Sequence, residues 1–171
     1  MKKSLLLLAI LLLAGSAYSF DTSALQLSLW APKAQIVPDY IDISGLKLNL
    51  PYGGNEYVGG VDLGIVSSNT NVSAFQVNLA NNTADEYKGF QVGLMNFSGT
   101  SSGFCVGAIL NYTEGLSYGV SIGLINTAME VRGVQIGIVN YTEFLTGFQI
   151  GLANIATKST VPFFPIINFC F

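Results

Sequence analysis

The sequence predicts an all-β protein built from one repeated strand, and three observations carry that prediction. An eight-residue phrase recurs as GFQVGLMN (89–96), GVSIGLIN (119–126), GVQIGIVN (133–140) and GFQIGLAN (147–154), with looser copies at 60–67, 74–81 and 103–111. The leading residues Gly60, Ala74, Gly89, Gly103, Gly119, Gly133 and Gly147 fall 14 to 16 residues apart, and a fixed internal period decides architecture before local signals do. Inside each copy, large apolar residues alternate with Gly, Gln or Ser, the period-two pattern of a strand.

Taken in order, Lys2 and Lys3, the apolar run Leu5 to Leu13 and Ala17-Tyr18-Ser19 read as a signal peptide over 1–19, too short to span a bilayer. The rest, 20–171, reads as a single domain with its repeat region at 60–156. Leu25, Leu27 and Leu29 alternate with polar residues and predict a strand over 24–30. An irregular connection with Pro32 and Pro38 follows, then a strand over 44–51 with Leu46, Leu48 and Leu50. The repeat supplies strands at 58–67, 73–81, 88–97, 102–112, 118–127, 132–141 and 146–155, and a last strand covers 164–171. Asn-rich junctions such as Asn96-Phe97-Ser98-Gly99 read as turns, because Asn tolerates turn backbone angles. The extra Ala108 predicts a bulge in the 102–112 strand.

Ten strands of about 9–10 residues suit an antiparallel up-and-down β-barrel in an outer membrane. Mean hydropathy of +0.51 and a charged content of 10%, against roughly 25% in ordinary soluble domains, favour the same reading. In such a barrel Phe90, Val92, Ile122, Ile136, Phe148 and Ile150 meet lipid, while Gln76, Gln91, Ser121, Gln135 and Gln149 line a narrow lumen. Tyr57, Tyr87, Phe97, Tyr112, Tyr118, Tyr141 and Phe144 at the segment ends fit an interfacial girdle. The alternating Phe163, Ile167, Phe169 and Phe171 read as the C-terminal assembly signal of such barrels, although Pro162 and Pro165 put the start of that strand outside the pattern. The alternative is a β-solenoid of stacked coils, its apolar face turned inward and its Gly/Gln face in water.

The tandem GxQ(I/V)G(L/I)xN phrase, the LxLxLW-AP segment at 25–32, GLKLNLPYG at 45–53 and the ending PFFPIINFCF at 162–171 together resemble the bacterial surface-repeat family. The resemblance covers nearly the whole of 20–171. It implies an exported outer-membrane or cell-surface protein of Gram-negative bacteria such as spirochaetes, and it carries no enzymatic activity to any residue here.

Residue chemistry points away from catalysis. The chain has no histidine, which removes the usual general base and the commonest metal ligand. Cys105 and Cys170 lie far apart with no zinc-site spacing; a disulfide between them is open. The GxQxG phrases lie within strands and lack the helix start and GK(S/T) of a phosphate loop. Asp85, Glu86, Glu114, Glu130 and Glu143 fall in expected turns. Five Asn-x-Ser/Thr sequons, at Asn71, Asn81, Asn96, Asn111 and Asn140, follow from repeated turn chemistry. No catalytic, metal or cofactor residues are assigned and no cofactor is expected. Without Lys2 and Lys3 the chain holds five Lys/Arg against ten Asp/Glu, which argues against nucleic acid.

Lys47 and Asp62 are the charged residues at central strand positions, and both share the Gln side. A hairpin centred on Gly53-Gly54-Asn55-Glu56 would set them opposite each other as a register-fixing lumenal pair. The functional expectation is a non-enzymatic outer-membrane barrel with a structural or surface role, its partners outer-membrane lipid and the barrel-assembly machinery. A secreted solenoid binding a surface through its Gly/Gln/Asn face and a narrow channel for small solutes are the alternatives.

Overall fold

A computed structural model describes residues 22–171; the leader assigned to 1–19 lies outside them. The chain forms β1 (Thr22–Trp30), β2 (Ala34–Gln35), β3 (Asp42–Ile136), β4 (Val139–Ala156) and β5 (Phe163–Cys170). These make one mixed sheet in the order β2-β1-β3-β4-β5. β2 and β5 are its two ends, so the sheet does not close.

A 95-residue strand cannot run straight; at about 3.3 Å per residue it would exceed 300 Å. β3 winds on itself instead. β3 and β4 pair in parallel with Gly133 beside Gly147, Gln135 beside Gln149 and Ile136 beside Ile150, an offset equal to the sequence period. β1 joins the same stack in parallel, Leu25 beside Leu46 and Leu27 beside Leu48. Both end strands run the other way: β2 lies antiparallel on β1, with Ser28 beside Gln35, and β5 returns antiparallel to β4, with Phe148 beside Phe169 and Ile150 beside Ile167.

This overturns the ten-strand closed antiparallel barrel, and with it the outer-membrane barrel role, the solute channel and the membrane-protein description. Alternation has the same parity whether the next strand runs up or down, so it fixes faces and not direction. The junctions expected as hairpin turns between 52 and 145 are continuous strand within the coil, Gly53-Gly54-Asn55-Glu56 included, whereas the last, between β4 and β5, is a turn as expected. A channel is ruled out because Gln76, Gln91, Gln135 and Gln149 are buried and fill the interior. The alternative binding face of Gly, Gln and Asn is likewise inside, not in water.

Each coil has a corner that strict alternation did not predict. In 89–96, Leu94 and Met95 both face outward and Asn96 turns in. Two consecutive outward residues swing the chain round, so the Asn that reads as a turn residue enters the interior. Six of these form a continuous amide ladder. Asn81 donates to Asn96, Asn96 to Asn111, Asn111 to Asn126, Asn126 to Asn140 and Asn140 to Asn154, at 2.8–2.9 Å each. Each side-chain amide also donates to a carbonyl of the neighbouring coil: Asn81 to Val92, Asn126 to Ile136, Asn140 to Ile150. Asn78 caps the first oxygen through Asn81 Oδ1 at 2.8 Å.

The glycines make this stacking fit. A Cβ at Gly137 would lie 2.7 Å from the Asn126 amide nitrogen, and one at Gly151 2.7 Å from that of Asn140. The leading glycines form a second column. Gly133 has φ +145 and a Cβ there would sit 2.0 Å from the Gly119 carbonyl oxygen, a close approach that only glycine permits. Apolar clusters flank the ladder: Val37, Ile43, Val58, Val72 and Tyr87 in the early coils, and Ala128, Val131, Leu145 and Ala156 in the late ones. Between them Ser98, Ser101, Thr113 and Ser117 link their hydroxyls at 3.1–3.3 Å.

Replacing Gly133 with Ala should therefore cost about 2 kcal/mol or more, from backbone strain and the carbonyl clash. Ala74 already occupies this column without a positive φ, so Ala74→Gly should cost about 1 kcal/mol or less. Denaturant midpoints of the two variants check this; equal losses would contradict the stacked column.

Candidate functional site: a buried charge cluster and an exposed apolar face

The interior Gln position forms one column down the stack: Gln26, Lys47, Asp62, Gln76, Gln91, Cys105, Ser121, Gln135 and Gln149, all buried. Gln26 lies beside Lys47 in register. A Cβ at Gly60 would meet the Gly45 carbonyl and one at Gly64 the Asn49 carbonyl, so Asp62 stacks over Lys47 from the next coil. The two thus share the interior as parallel neighbours, not as partners across a hairpin.

They are not bonded directly. Asp62 Oδ1 accepts from Asn49 Nδ2 at 2.6 Å, and Oδ2 accepts from Ser67 Oγ at 2.6 Å and Gln76 Nε2 at 2.8 Å. Asn69 Nδ2 approaches the same oxygen at 3.4 Å. The Lys47 ammonium donates to Asn69 Oδ1, so Asn69 bridges cation and anion. Four donors around one carboxylate offset its desolvation, which a lone buried ion would pay in full. Burial pulls the Lys47 ammonium down from 10.5 to about 8, and the Asp62 charge pulls it partly back. The cluster is sealed from substrates by the coils around it. Its chemistry is that of a structural staple in the first coils.

Cys105 and Cys170 are both free. Cys105 belongs to the early apolar cluster and Cys170 packs on the late one. Burial raises the Cys105 thiol from 9.0 to about 12, which leaves it a poor nucleophile. Burial, then the Cys105 charge, raises the Tyr87 hydroxyl as well; it donates to the Ala74 carbonyl at 3.2 Å.

The second feature is the outside of the same wall. Its three outward columns hold only apolar residues from Leu46 to Leu152: Phe75, Phe90 and Phe104 in one, Val77, Ile122, Ile136 and Ile150 in the next, Leu79, Leu94, Leu124 and Leu152 in the third. Leu152 is 71% exposed, Leu79 53% and Phe75 44%. Phe75 stacks on Phe90 at 5.2 Å and Phe90 on Phe104 at 5.3 Å, with nearly parallel rings. β5 extends the face, with Phe169 and Phe171 against Phe148 at 6.4 and 5.2 Å. Phe163, Ile167, Phe169 and Phe171 are all exposed; the last three continue this face, Phe163 lies past the corner beside Ile155, and none of them closes a barrel. An apolar furrow of 610 Å³, floored by Gly107, Gly123, Gly137 and Gly151, runs between the second and third columns.

The opposite wall carries the charge. Lys88 pairs with Glu86 at 2.9 Å, Arg132 with Glu130 at 2.7 Å and Lys158 with Glu143 at 2.5 Å, all solvated. The interior is thus polar behind the apolar wall and apolar behind the wall that carries the ion pairs.

The asparagines of the ladder escaped the sequence reading. The signal was available: Asn81, Asn96, Asn126, Asn140 and Asn154 each stand seven residues after the leading residue, an invariance that a turn would not demand. Most sequons follow from it, since the Ser or Thr two residues on also faces inward, as Ser98, Thr113 and Thr142 do. Compared with known families, curated proteins and solved structures, the chain matches no family model, no curated protein and no solved structure.

The buried titrations give a pH signature with a definite sign. Lys47 has a folded pKa below its unfolded value, so the native state binds fewer protons between about 8 and 10.5, and stability rises with pH across that window. Cys105 has a folded pKa above its unfolded value, so its contribution is lost as pH rises above 9.0. Stability should therefore climb from about pH 8 to 9 and then flatten or fall. Lys47→Met should abolish the climb, and Cys105→Ser should lessen the fall. Denaturant melts across pH 7–10.5 read both effects; a wild-type profile flat from 8 to 9 would contradict the buried ammonium.

Proposed function

We propose that this chain is an exported, non-enzymatic surface-repeat protein of a Gram-negative bacterium that works by docking through its apolar wall. One observation carries the reading: a continuous outward face free of charge, opposite a wall where exposed ion pairs gather. With adjacent rungs of the wound sheet about 4.8 Å apart and residues about 3.3 Å apart along each, about ten rungs and three outward columns cover roughly 900 Å². The largest apolar patch on an ordinary monomer is about 300–600 Å². At about 25 cal/mol per Å², leaving such a face wet costs on the order of 20 kcal/mol. A cost of that size is sustained only where the face is covered in use.

Export rests on the leader pattern at 1–19, and the surface location on the resemblance of the repeat phrase. The absence of histidine from the chain and the sealed state of Asp62 and Lys47 support a non-catalytic role. The charged wall then faces water and keeps the docked protein solvated.

Cells expressing the chain with an epitope at Asp85-Glu86 should label at the surface without permeabilisation. Leu124→Asp combined with Ile136→Asp should be exported in equal amount but retained on cells at least about tenfold less, whereas Glu114→Lys on the charged wall should be retained normally. Equal retention of all three would contradict docking through the apolar wall.

A further inference from the structure

We propose that the apolar wall is covered by a second copy of this chain, docked face to face about a two-fold axis. The inference rests on the docking reading above and names its partner. A stable interface buries about 800 Å² per partner, and the wall offers roughly 900 Å² by strand spacing.

A two-fold contact needs a surface complementary to itself. The repeat supplies one, because every coil places a ridge at the same pitch on both copies. The furrow floored by Gly123 and Gly137 lies between two such ridges, and the Ile122–Ile136–Ile150 ridge of the second copy has the matching spacing and chemistry to fill it.

Residues 22–171 hold five Lys/Arg and nine Asp/Glu. Lys47 is buried, Lys88, Arg132 and Lys158 are each held by a glutamate, and Lys33 is a single exposed cation in the turn after β1. An anionic lipid surface finds no basic rim on this wall. A second copy is not repelled, because its acidic excess lies on the far wall.

Sedimentation of the full-length protein at micromolar concentration without detergent tests the inference. The wild type should run as a dimer. Ile136→Asp should weaken the dimer at least about 100-fold, as loss of a central anchor does, while Glu130→Ala on the charged wall leaves it intact; circular dichroism confirms that both remain β-sheet. In a Cys105→Ser/Cys170→Ser background, Ile122→Cys or Ile136→Cys should form an intermolecular disulfide and Thr127→Cys should not. A wild-type monomer that floats with neutral phosphatidylcholine vesicles would overturn the second copy and leave docking standing. A wild-type monomer that neither floats nor loses cell retention on charging the wall would overturn both. A dimer that Ile136→Asp leaves unchanged would place the interface elsewhere and overturn the inference.

Discussion

The structure depends on one constraint: the asparagine amides carried in at the corner of each coil must find their partners on the next coil. Asn111 illustrates it, accepting from Asn96 and donating to Asn126 and to the Ile122 carbonyl. A buried amide left without a partner costs about 1–3 kcal/mol, so a coil out of register would lose several such bonds at once. The ladder thereby sets the stacking offset, and the offset brings Gly133 over Gly119 and Gln149 beside Gln135. The period of the sequence is the period of that bond network.

A polar interior has a consequence for the exterior. Half the chain is apolar by composition, and the wall whose inward positions are taken by Gln, Asn and Gly must present its apolar residues outward. The usual arrangement of a soluble sheet is inverted on this wall and kept on the other, where Val58, Val72, Val131 and Leu145 face in and glutamates face out. The end strand β5 follows the same logic. Its Asn168 points in and donates to the Val161 carbonyl, while Phe169 and Phe171 join the apolar wall.

The all-β class and the opposite facing of neighbours such as Phe90 and Gln91 were legible, because alternation is a local property of the chain. Direction was not, since a parallel coil and an antiparallel hairpin share that parity. The decisive residues were the glycines with φ near +105 to +145 and the invariant asparagines; the asparagines were read as turn chemistry, and the glycines as the small residues of one strand face. At the charge cluster, Lys47 and Asp62 were recognisable as inward residues of adjacent repeats. Asn69 as the bridge between them was not, because it lies in an irregular part of the period and reaches Lys47 only through the coil.

The most direct test of the parallel stack is the pairing of Leu124. The Ile138 amide donates to the Leu124 carbonyl at 2.9 Å, and the two residues are neighbours on adjacent coils. In a hairpin of 118–127 with 132–141 turning at Met129, which keeps the apolar residues on one face, Leu124 would instead face Val134. In a Cys105→Ser/Cys170→Ser background, the Leu124→Cys/Ile138→Cys pair should close an intramolecular disulfide under mild oxidation, since parallel neighbours about 4.8 Å apart satisfy its geometry. The Leu124→Cys/Val134→Cys pair should stay reduced. Closure of the second pair and not the first would contradict the stacked coils.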